Sequence, residues 1–121
     1  MLGILVTSYL PYYYLYQDLL VSNLDKSKFK VIFATTHEND DFVKTISDNI
    51  KTPLYQLDQN PGKHDGTYYL VTSAISEFEE CDYILHYHAD NWFRDGVEMI
   101  EKIYDKIKKE GYKIASVPRQ W

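Results

Sequence analysis

The feature that most constrains this chain is an alternation. Short, almost wholly apolar runs take turns with longer stretches whose apolar residues recur at helical spacing. LGILVT at 2–7, FKVIFAT at 29–35, LYQL at 54–57 and YILHY at 83–87 read as strands, and KIASV at 113–117 as a fifth. Between them, Leu15, Leu19, Leu20 and Leu24 mark a first helix. Phe42, Val43, Ile46 and Ile50 mark a second, with Asn39 or Asp40 as its cap and Thr52-Pro53 as its stop. Leu70, Val71, Ala74, Ile75 and Phe78 mark a third. Val97, Ile100, Ile103, Tyr104 and Ile107 mark a fourth, capped by Asp95 and ended by Gly111. Strand and helix alternate from start to finish, which predicts an α/β fold: a mostly parallel sheet of about five strands with helices on both faces.

The totals narrow the class further. A chain of 121 residues makes one domain, spanning 1–121, and is long enough to bury a core. Its net charge of −5, with scattered Lys and Arg, argues against a nucleic-acid partner. The single cysteine, Cys81, excludes an internal disulfide and fits a reducing, cytoplasmic setting. No run reaches the roughly 20 apolar residues of a membrane span. The opening MLGILVTSYLPYYYLY lacks a basic start and is interrupted by Pro11 and Asp18, so it reads as a strand and the start of a helix rather than a leader. The 12 tyrosines suit pocket walls, where a ring is half-buried and its hydroxyl stays wet.

In an open parallel sheet, ligands bind beyond the carboxyl ends of the strands. Thr7, Ser8 and Tyr9 follow the first strand, and Thr36, His37, Glu38 and Asn39 the second. Asp58, Asn60 and Lys63 follow the third, in a polar loop expected over Asp58–Gly66. His88, Asp90 and Asn91 follow the fourth, where the apolar run stops at His-Ala-Asp-Asn. Loops are polar in any protein, so each group alone says little. His88 and Asp90, however, are both ligand types for a divalent ion, and Asn91 adds an amide oxygen.

The segment CDYILHYHADNWFRDG resembles the nucleotide-sugar site of GT-A-type glycosyltransferases, family 2 in particular. There an apolar strand ends in Asp-x-Asp. ILVTSYLP resembles the family's first strand, VIFATTHEND the segment that carries its base-reading acid, and LDQNPGKHDGTYYLVTSAI its Asn-x-Gly loop and following helix. The resemblance implies a Rossmann-like GT-A domain that binds a nucleotide-diphosphate sugar through Mn²⁺ or Mg²⁺ and passes the sugar to a saccharide or other acceptor. It implies Asp90 and His88 as metal residues, and Thr7, Ser8, Tyr9, Glu38, Asn60, Lys63 and His88 as nucleotide-sugar residues. No catalytic residue is implied.

Two departures accompany it. His88 stands where the family has the first Asp of Asp-x-Asp. The chain also stops at Trp121, soon after its expected fifth strand, where the family continues into an acceptor half. A fragment, a short enzyme and a non-catalytic nucleotide-sugar-binding module all fit that length. A different chemistry is open as well. His86, His88 and Asp90 stand at i, i+2 and i+4, on one side of an extended strand, and resemble the His-x-His-x-Asp zinc motif of metallo-β-lactamase-type hydrolases. Against it, Asn91 replaces that motif's next histidine and no histidine follows His88. Trp92 and Phe93 read as an anchor beneath the site.

Overall fold

The computed structural model describes residues 1–57, 63–91 and 97–111, with residues 63–68 described by their backbone alone. Among them are four strands, β1 (Leu2–Thr7), β2 (Phe29–Thr35), β3 (Leu54–Gln56) and β4 (Tyr83–His88). The sheet order is β3-β2-β1-β4, and every pairing is parallel. The sheet is thus four-stranded rather than five-stranded within the described residues; the expected fifth strand, at 113–117, lies outside them. Between and after the strands come α1 (Tyr13–Val21), α2 (Asp40–Ser47), α3 (Lys63–Ala74) and α4 (Val97–Glu110). A 3-10 turn, Ile75–Phe78, extends α3.

The strands form because their residues fill two layers at once. β1 is buried along its whole length. On one face Leu2, Ile4, Val6, Phe29, Phe33 and Tyr87 meet residues of α1, α2 and α4. On the other, Leu5, Ile32 and Ala34 meet Leu70, Ala74 and Phe78. Helices therefore cover both faces, as the alternation predicts. The second face is closely packed: a Cβ added to Gly3 would lie 2.4 Å from Cδ1 of Phe78.

The helix ends follow the expected local chemistry. Asn39 is the cap of α2, its Oδ1 accepting from the Phe42 N–H at 3.0 Å. Gly111 ends α4 at φ +71°, and its N–H donates to the Ile107 carbonyl. The expected cap of α4, Asp95, lies outside the described residues.

Three expectations are corrected. α3 begins at Lys63, so the loop expected to reach Gly66 is already helical over its last four residues. β4 runs one residue further than expected, which puts His88 on the strand rather than after it. The face of α1 is also rotated. Leu15 and Leu19 point outward, with Leu19 73% exposed, while Tyr14, Gln17, Asp18 and Val21 are buried. Each polar member of that buried set has a partner. The Tyr14 hydroxyl donates to the Ala34 carbonyl at 2.5 Å, with the Val6 carbonyl 3.1 Å away. The Asp18 carboxylate accepts from the Lys51 and Thr52 N–H groups and from the Thr52 hydroxyl. No helix among the described residues is long and apolar enough to cross a membrane.

Candidate functional site

The parallel register brings three loops to one edge. Thr7 is the last residue of β1 and pairs with Ala34 on β2 and His88 on β4. Alternation along the strands then puts Thr7, His86 and His88 on the α3 face. The buried Thr7 hydroxyl lies 2.9 Å from Nε2 of His86 and 3.4 Å from Nδ1 of His88. A hydroxyl has one proton, so Thr7 can donate to only one of the two rings, and the other must donate to Thr7. The rings meet edge to face with centroids 5.4 Å apart. Burial first, and the neighbouring His88 second, pull the His86 imidazole below its usual range.

His88 and Asp90 are exposed, and Ala89 between them is buried. The Ala89 N–H donates to the Thr7 carbonyl at 2.9 Å, continuing the β1–β4 ladder past His88. The Asn91 N–H then closes a turn on the His88 carbonyl at 3.0 Å. Asp90 therefore stands on a short turn anchored at both ends. On α1 the Tyr12 hydroxyl, and more weakly the Asp90 charge, raise the Tyr13 phenol.

A second cluster joins the loops after β1 and β2. The Tyr9 hydroxyl reaches both carboxylate oxygens of Glu38, at 3.0 and 2.9 Å. Glu38's own N–H, and then this hydroxyl, hold its carboxyl below the usual range, and the same bond raises the Tyr9 phenol. The Tyr9 ring lies 5.0 Å from that of His37, which stacks on Phe42 at 5.1 Å. Phe42, expected on the buried face of α2, is thus drawn to the loop instead. The buried Thr35 hydroxyl donates to the Tyr9 carbonyl and accepts from the His37 N–H. Ser8 acts within its own loop, where its hydroxyl donates to the Leu10 carbonyl and accepts the Leu10 N–H.

Of the nucleotide-sugar residues expected from the sequence, Thr7, Ser8, Tyr9, Glu38 and His88 gather at the carboxyl edge with Asp90. Lys63 opens α3, and its side chain is not described. Asn60 lies outside the described residues, as do Trp92 and Phe93. Sequence reasoning missed Thr35 and Gln17. Gln17 is a polar residue among the tyrosines and leucines of α1, and Thr35 closes the apolar run of β2; those positions were the signal available.

The donor set sets limits on an ion. Among the described residues no group of three or more His, Cys, Asp or Glu side chains is placed to hold a metal. Asp90 takes part in no ion pair among them. Among those residues His86, His88 and Asp90 are not gathered around an ion position, and the Thr7 hydroxyl lies at Nε2 of His86. Two exposed donors do fit an ion that completes its shell with oxygens of a bound ligand.

The sheet, the helices on both faces and the polar carboxyl edge define a Rossmann-like α/β fold. Two crystal structures of S. aureus TarS share it. A form covering residues 1–349 superposes with a TM-score of 0.57 at 16% identity, over 98% of this chain and 38% of that one. A second TarS structure gives 0.56 at 14% identity, over 98% of this chain and 23% of that one. The chain thus spans well under half the length of the proteins whose fold it shares. No family model matches it, and no curated protein does.

Proposed function

We propose that this chain is a glycosyltransferase domain of GT-A type, similar to family 2, that binds a nucleotide-diphosphate sugar with a divalent metal and delivers the sugar to a saccharide or other acceptor. The observation that carries the reading is the convergence of Thr7, Tyr9, Glu38, His88 and Asp90 on the carboxyl edge of a parallel sheet. A fold in common with TarS, a GT-A-type glycosyltransferase, supports it.

Asp90 and Nε2 of His88 would hold Mn²⁺ or Mg²⁺ together with diphosphate oxygens. Such an ion neutralises the charge that gathers on a departing diphosphate. The Thr7 hydroxyl, 3.4 Å from Nδ1 of His88, would help orient the ring for that role. The Tyr9–Glu38 pair offers an aromatic face and a carboxylate, which suit a nucleobase and its N–H groups.

Titration calorimetry with uridine- and guanosine-diphosphate sugars, with Mn²⁺ and with excess chelator, tests the reading. We expect binding of one nucleotide, dependent on the ion. Asp90→Asn should weaken that binding at least tenfold, about 1.4 kcal/mol, with little change in stability because the side chain is exposed. Equal affinity in chelator would remove the metal from the site, and bound zinc without nucleotide preference would replace the reading with a hydrolase-like one.

A further inference from the structure

The turn that carries Asp90 is held from behind by a residue of α1. Gln17 is 1% exposed, and its Nε2 donates to two carbonyls, that of Ala89 at 2.8 Å and that of Asn91 at 3.0 Å. These carbonyls flank Asp90 in the chain. The Gln17 Oε1 in turn accepts from the Tyr87 hydroxyl at 3.0 Å. With the phenol proton at Oε1 and two carbonyls at Nε2, the way the amide faces is settled.

The arrangement is chemically narrow. Two neighbouring carbonyls, one of them buried, call for a donor with two protons, and a buried phenol for an acceptor. A side-chain amide offers both from one planar group, whereas a carboxylate would present oxygen to the two carbonyls. We infer that Gln17 is a positioning residue for Asp90 and His88: by clamping the carbonyls of residues 89 and 91 it sets the angle at which the turn presents its ligands to an ion. This inference rests on the reading of the site given above. Residues that orient metal ligands from behind commonly influence metal affinity by about tenfold or more when replaced.

The test compares Gln17→Met, which keeps length and bulk but neither donates nor accepts as the amide does, with Tyr87→Phe, which removes only the hydroxyl that orients the amide. The probes are UDP and GDP, each with Mn²⁺ or with excess EDTA, on protein whose folded state is verified by its amide spectrum. We expect Gln17→Met to lower the Mn²⁺-dependent part of the affinity by about tenfold and to leave affinity in EDTA unchanged. Tyr87→Phe should act in the same direction and less, and it answers the question if Gln17→Met fails to fold. A merely structural role would move both affinities or neither.

Asp90→Asn in the same titrations separates the two ideas. If it abolishes the ion-dependent part while both other variants keep it, the positioning role is overturned and the functional reading survives. If the parent itself shows no ion-dependent binding, the functional reading fails. Hydrogen exchange then decides the clamp: at the Asn91 amide it should quicken by about tenfold in Gln17→Met relative to β1 amides. Unchanged exchange would overturn the clamp.

Discussion

Helices α1 and α2 pack on the same face of one sheet and bury themselves by opposite means. α2 is conventionally amphipathic: Val43 and Ile46 face the core, and its charged residues face out. α1 buries Gln17 and Asp18 beside Tyr14 and Val21, and leaves Leu15 and Leu19 exposed. Apolar contact is non-directional, so a helix like α2 tolerates small rotations. Hydrogen bonds have direction, and α1 makes them to Thr52, Tyr87 and Asn91, which lie 34, 70 and 74 residues away in sequence. α1 is consequently fixed in rotation as well as in depth, and through Gln17 it touches the candidate site.

This contrast can be broken at its strongest point. Asp18→Ala leaves two N–H groups and a hydroxyl without their acceptor, and should cost about 3 kcal/mol in urea denaturation. Ile46→Ala in α2 should cost about 2 kcal/mol, from lost apolar burial and the cavity left behind. If Asp18→Ala proves the milder change, α1 is held by packing like its neighbour.

The outward face gives a smaller effect. Leu19→Gln should alter stability by no more than about 0.5 kcal/mol, because the side chain is already in water. A loss several times larger in the same denaturation assay would mean that Leu19 is covered.

The least effect is expected at the surface pair. The folded Glu38 carboxyl lies below its ordinary value of 4.5, so its stabilising contribution is present above that pH and is lost as pH falls through the lowered value. Tyr9→Phe removes one of the two leading causes. The Glu38 midpoint, followed by carboxyl carbon shifts, should rise toward the ordinary value with almost no change in global stability. An unmoved midpoint would leave Glu38's own N–H, with the neighbouring His37, as the cause.

Much of the fold was legible because its signals are local. Apolar runs gave β1 and β2 to the residue, and Asn39 and Gly111 gave helix ends with a mechanism. The orientation of α1 was not legible. Tyr14, Gln17, Asp18 and Val21 recur at helical spacing just as Leu15 and Leu19 do, and the periodicity alone does not say which set is inside. Distant partners decide that. The site was half legible for the same reason. Its strand-end position follows from the alternation, but the Thr7 bridge between His86 and His88 exists only through the β1–β4 register.

The contact between Gly3 and Phe78 bears on how such a sequence can diverge. The ring carbons Cδ1, Cε1 and Cγ of Phe78 all lie within 3.0 Å of where a Cβ on residue 3 would stand, and Phe78 is only 2% exposed. The ring has nowhere to retreat, so the two positions are not independent. A side chain can arrive at 3 only after 78 has become smaller, and in the reverse order the intermediate is unfit. Descendants of this chain should therefore carry the two positions as a linked pair, with the change at 78 always the older one.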